Sequence, residues 1–94
     1  MSIGLLVLIL RIPGCGSLKE KRGRLKPLLT RLHKHHNLSV AEIDDLNIWG
    51  RAVVGCVLVS NDPNRTRSVL QKAVNWVENE WRDLELEDAQ IEML

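Results

Sequence analysis

Phenylalanine and tyrosine are absent from this 94-residue chain, whose aromatic residues are Trp49, Trp76 and Trp81. Open sheets that read single-stranded RNA stack bases on aromatic side chains of their central strands. With only Trp49 near such a strand, and there at its beginning, that mode is excluded. Cysteine is scarce as well: Cys15 and Cys56 form no CxxC pair, which argues against a disulfide scaffold or a cysteine metal site. Both are expected as reduced thiols, Cys56 in the core. The longest apolar run, Leu5 to Leu10, falls far short of the roughly 20 residues of a membrane helix. It does not join a basic leader to a small-residue cleavage site, so no signal peptide is expected and the cytoplasm is the expected location. There is no GxxxxGK[ST], and Lys19 stands where a dinucleotide fingerprint beginning at Gly14-x-Gly16 would have its third glycine. Neither nucleotide motif is present, and no cofactor or small-molecule substrate is expected.

What is present describes one ordinary globular domain, residues 1–94. Hydrophobic residues make up 45% and charged residues 27%, which is incompatible with intrinsic disorder. The net charge is +1, yet the two parts of the chain differ sharply. Residues 1–37 carry eight Lys/Arg and one acid, a net +7, whereas residues 38–94 carry five Lys/Arg and eleven acids, a net −6. Such asymmetry implies a basic surface for an anionic partner, or two parts that pair with each other.

Periodicity then orders the elements. Ile3 to Ile12 reads as a strand, apolar on both alternating sets until Pro13. Ser17 with Glu20 three residues later is a capping-box pattern, and Leu25, Leu28, Leu29 and Leu32 share an arc of the helix that follows, with Lys21 and Arg22 on the same arc. Pro27 should kink this helix, the strain eased because the carbonyl it crowds belongs to Gly23. Asn37 is the expected left-handed cap. Leu38 to Ile43 and Ile48 to Ser60 read as strands joined by a turn over Asp44 to Asn47. Asp62-Pro63 opens a second helix, and Leu84 to Leu94 is a last strand. The order β-α-β-β-α-β specifies an α+β ferredoxin-like sandwich, a four-stranded antiparallel sheet with both helices on one face. Right-handed crossovers are expected to set the first and third strands side by side and parallel. The face without helices is left bare and apolar through Val7, Ile9, Val53 and Val57, with Trp49 and Arg51 at the start of the third strand; this is the expected association surface, by that face or by an edge strand, of a homodimer.

The stretch Arg11–Lys26 combines a strand end, a Pro-Gly-x-Gly turn and a cationic helix start. Turn glycines Gly14 and Gly16 and the cations Arg11, Lys19, Lys21, Arg22, Arg24 and Lys26 are the candidate anion site, since such a turn aims N–H groups and positive side chains at one spot. Lys21 and Arg22 are expected in the mouth between strand and helix. RNA phosphate, on free RNA or the ribosome, is the expected ligand, recognised electrostatically and by shape. The competing reading is a solvated helix whose cations pair with the acidic second half. His33, His35 and His36 are read as helix-end cations, because no four-ligand metal site can be assembled around them.

The segments IPGCGSLKEKR after the first strand, SVAEID in the second, Trp49-x-Arg51 and VSND at Val59–Asp62 resemble the YlxP-like family, a small bacterial family of unknown function, over essentially the whole chain. The resemblance implies a ferredoxin-like fold and a bacterial cytoplasmic protein. Family genes often neighbour those for translation initiation and ribosome maturation factors, which implies work on RNA or the ribosome. No catalytic residue is implied, and the chain is read as a non-enzymatic protein. Relatives often carry polar residues on the outward face of the first and third strands; Val7, Ile9 and Val53 depart from that pattern and imply stronger self-association. Two alternatives stand beside this reading: a protein-interaction or structural homo-oligomer without nucleic acid, and an acylphosphatase-like enzyme. The second lacks that fold's glycine-loop pattern and strand asparagine.

Overall fold

Strand β1 (Ser2–Arg11), helix α1 (Leu18–His36), strands β2 (Ser39–Asp44) and β3 (Arg51–Ser60), helix α2 (Pro63–Glu80) and strand β4 (Glu85–Met93) follow one another in the computed structural model, which describes residues 1–94. The sheet order is β2-β3-β1-β4 and every neighbouring pair is antiparallel. This is the ferredoxin-like sandwich. The parallel pairing expected for β1 and β3 is corrected: the β2–β3 hairpin reverses the chain, so β3 enters the sheet opposed to β1.

The periodicities that specify these elements also fix their faces. Leu6, Leu8, Leu10 and Ile12 alternate toward the helices, as do Ala52, Val54, Cys56 and Leu58, and they meet Leu25, Leu28 and Leu32 of α1 and Leu70, Ala73 and Val77 of α2 in one core. Each of the large side chains contributes about 1.5–3 kcal/mol by leaving water. Burial pushes the Cys56 thiol up to about 12, so it packs as a small apolar group. Gly4 lets α2 settle onto β1, because a Cβ there would lie 2.5 Å from Thr66 Cγ2 and 2.7 Å from Leu70 Cδ1.

Helix ends follow local chemistry. Ser17 Oγ accepts from the Glu20 amide at 3.0 Å, while the Glu20 carboxylate turns to Arg24, so the capping box is half formed. Asn37 closes α1 at φ 55°. Asp62 caps α2 by accepting from the Asn64 amide at 2.9 Å, with Pro63 in the first turn. The helix α1 runs unbroken through Pro27. The strand predicted from Ile48 begins at Arg51 instead. Asp45 adopts φ 57° and its carbonyl accepts from the Ile48 amide at 3.0 Å, which widens the turn and leaves Leu46, Ile48 and Trp49 half-exposed.

On the bare face the register aligns four rows. Val57 and Leu5 stand with Ser39 and Glu92; Gly55 and Val7 with Ala41 and Gln90; Val53 and Ile9 with Asp44 and Asp88; Arg51 and Arg11 with Glu85. Val7, Ile9, Val53 and Val57 are half-buried there, and Ile43 lies over Gly55. Both edge strands are irregular, with register shifts that leave Ile43 of β2 and Glu87 of β4 unpaired. Bulges and charges of this kind discourage pairing with a further strand.

Candidate nucleic-acid interface

The cations of Arg11–Lys26 separate into three groups. Lys21 goes inward and is 1% exposed. Its Nζ donates to the Asp45 carbonyl at 2.6 Å and lies 2.8 Å from Glu42 Oε2, a buried oxygen that pairs with it by charge and proximity and accepts no well-aligned hydrogen bond. The expectation that Lys21 waits in the mouth is therefore corrected. An ammonium on the apolar side of a helix needs a counter-charge, and the inward-facing Glu42 of β2 supplies it.

Arg24 is held too. It donates to the Pro13 carbonyl at 2.7 Å, to the Asp83 carbonyl at 2.9 Å and to the Asp83 carboxylate at 3.0 Å, with Glu20 Oε2 at 3.3 Å. These acceptors raise its pKa, the Asp83 hydrogen bond most strongly. Its planar fork thus ties the β1–α1 turn to the α2–β4 connection. Gly14 supplies the left-handed turn residue, φ 67°, and Gly16 borders open space. Two carboxylates gather around the guanidinium over this turn, so the turn is a staple with its own anions rather than a vacant cradle. Arg11 parts from the others altogether: it lies opposite Arg51 on the bare sheet face. There Arg51 pairs with Asp45 at 3.0 Å and more loosely with Glu87 at 3.9 Å.

The third group remains free. Lys19, Arg22 and Lys26 are exposed and in no ion pair. At about 100° per residue they share an arc of roughly 60°. Arg31 and Lys34 continue the exposed cationic surface along α1, also unpaired. From Lys19 to Lys34 the five cations run about 22 Å along the axis at 1.5 Å per residue and spread over about 180° of the outer half of the helix, with Arg22 and Arg31 at its two edges. Arg22 and Lys26 edge a cleft of about 240 Å³ between α1 and β2, lined also by Leu25, Leu29 and Glu42. The candidate site read from the sequence ends at Lys26; Arg31 and Lys34 lie outside the arc shared by Lys19, Arg22 and Lys26, and the signal for them in the sequence is that Glu20 is the one acid of the helix.

The histidines do not act alike. His33 Nδ1 lies 2.9 Å from the Leu38 carbonyl, so that nitrogen carries the proton. The ring of His36 lies 5.3 Å from that of Trp76, which in turn lies 5.6 Å from Trp81. Burial, followed by the neighbouring His35, lowers the His36 pKa. Burial thus disfavours, at His36, the charged form that a helix-end cation requires.

A family model described as protein of unknown function, DUF503, matches residues 3–91. The chain belongs to that family. The match takes in β1, α1 and most of β4, hence both the cationic helix and the bare sheet face. The chain is also similar to the uncharacterized protein YlxP of Bacillus subtilis strain 168, with 38% identity over 64 residues, 68% of this chain and 70% of that relative. No helix of this family member is long and apolar enough to cross a membrane.

Proposed function

We propose that this chain is a non-enzymatic cytoplasmic protein that binds RNA, free or within the ribosome, through the outer side of α1. The observation that carries this reading is the division of the helix cations: Lys21 and Arg24 have acidic partners, whereas Lys19, Arg22, Lys26, Arg31 and Lys34 are exposed and have none. A folded protein gains little from a row of like charges on one helix, and a polyphosphate backbone is the partner that turns their repulsion into attraction. Contact of this kind follows backbone shape and carries little base preference. Co-sedimentation with ribosomes at low salt tests it. The wild-type chain is expected in the ribosomal pellet and released by nuclease treatment; a chain that stays in the supernatant contradicts the reading.

A second copy on the bare sheet face is a companion reading, favoured by the apolar centre of that face and by the bulges on both edge strands. Such a dimer would leave both α1 surfaces pointing outward. Light scattering at rising concentration is the direct check, with a mass that stays at one copy as the contrary result.

A further inference from the structure

The cleft between α1 and β2 has a lining that phosphate alone does not explain. Arg22 and Lys26 stand on its rim, Leu25 and Leu29 form its wall, and Glu42 is an acid beneath the cationic helix. Glu42 stands opposite Val54 in the sheet register, so strand parity turns its side chain to the helix side. β2 is an edge strand, and no further strand closes the cleft. The two oxygens of this carboxylate have different surroundings. Oε2 is buried and lies 2.8 Å from Lys21 Nζ. Oε1 is not sealed from solvent and no group of the chain donates to it, and the Glu42 side chain keeps 17% of its surface exposed.

Pairing with Lys21 cancels the carboxylate's charge, so an anion at the rim meets the cations of α1 without a net opposing charge behind them. A carboxylate accepts hydrogen bonds and donates none. An acceptor at the inner end, an apolar wall and two cations on the rim together fit an occupant with an N–H donor, a flat ring and an anionic tail. A nucleotide with an amino-bearing base has all three. The cleft, about 240 Å³, is smaller than the roughly 300–1,000 Å³ of pockets that enclose whole small molecules, and that size suits a single ring. Cytosine N4 is a donor that Glu and Asp accept from, whereas a pyrimidine with a carbonyl at that corner sets oxygen against oxygen. We propose that the cleft holds one unstacked cytosine of the bound RNA. Its N4 amino group donates to Glu42 Oε1, its ring lies against Leu29 with Leu25 behind, and Arg22 and Lys26 meet the flanking phosphates. This rests on the reading that α1 binds RNA, and it adds one position of base readout to a contact otherwise made through the backbone.

Fluorescence anisotropy with oligocytidylate and oligouridylate of equal length, at one low salt concentration, tests the pocket. The two strands carry the same backbone charge, so the counterion contribution cancels in the ratio of their affinities. The wild-type chain is expected to bind oligocytidylate about tenfold more tightly, within the range of one good base-edge contact. Lys21→Met with Glu42→Leu removes the acceptor without stranding a charge, and is expected to bring the ratio to about one. Leu29→Trp fills the cleft while sparing the buried pair, and any stacking it adds is tolerant of base identity; the same loss of preference is expected. Circular dichroism establishes that both variants fold. Equal affinities in the wild type, or a cytosine preference that either folded variant retains, overturns the base pocket and leaves RNA on α1. So does a chain that holds ribosomal RNA but neither oligonucleotide. A chain that binds no RNA at low salt overturns the pocket together with the reading on which it rests.

Discussion

Lys21 is the side chain on which the local architecture turns. From the first turns of α1 it reaches the β2 carboxylate Glu42 and the carbonyl of Asp45, whose own carboxylate holds Arg51. Removing one partner of a buried pair leaves the other charge stranded, at a cost of about 3–5 kcal/mol, whereas replacing both with apolar groups of like volume can be neutral or better. Lys21→Met is therefore expected to lower the unfolding free energy by about that amount, and Lys21→Met combined with Glu42→Leu to recover most of it in urea titrations. Equal losses in the single and double variants would mean that the pair is not coupled. His36 gives a pH dependence of definite sign. Its folded pKa lies below the ordinary value of 6.5. As the pH falls through that value the unfolded chain takes up a proton that the folded chain resists, and stability drops. Thermal unfolding at pH 7.5 and pH 5.5 should show a larger fall for the wild type than for His36→Gln; equal falls would remove His36 from the account.

At the scale of elements, α1 carries two residues that isolated helices disfavour, Gly23 and Pro27, and still runs from Leu18 to His36. Its packed side explains this: Leu25, Leu28 and Leu32 are fully or almost fully buried, and tertiary burial overrides propensity. Nothing lies within 4 Å of a Cβ built at Gly23. Gly23→Ala is accordingly expected to stabilise the fold by about 1 kcal/mol in chemical denaturation. A loss instead would show that Gly23 is needed for its freedom beside Pro27. The elements themselves were legible in the sequence because apolar spacing and capping residues specify them locally. Ser17 and Asp62 announce helix starts through bonds made within three residues, and Asn37 announces the end of α1 by its left-handed backbone. What was not legible depends on distant partners. Lys21 and Arg22 are adjacent and share the helical arc, yet only Lys21 finds Glu42 across the α1–β2 seam. Arg24 meets Asp83, 59 residues further on, and the β3 start moved because Asp45 turns left-handed. Arg11 left the candidate site through strand parity alone, since the residue that ends β1 points away from the helices.

For the whole molecule, the contrast between a basic first part and an acidic second part resolves into three uses of charge. Some of it closes the fold, through Lys21 with Glu42 and Arg24 with Asp83. Some lies on the bare sheet face, where Arg11 and Arg51 share a row with Glu85. A third part is the free cationic surface of α1, on the opposite layer, and the proposed function depends on it. The decisive measurement is the affinity for a ribosomal RNA fragment by fluorescence anisotropy across about 50 to 200 mM salt. Compared with the wild type, Arg22→Gln with Lys26→Gln is expected to bind more weakly at low salt and to have a salt slope shallower by roughly 1.4–1.8, two phosphate contacts' worth for single- or double-stranded RNA. An unchanged affinity and an unchanged slope in that variant would contradict the assignment of RNA to this helix.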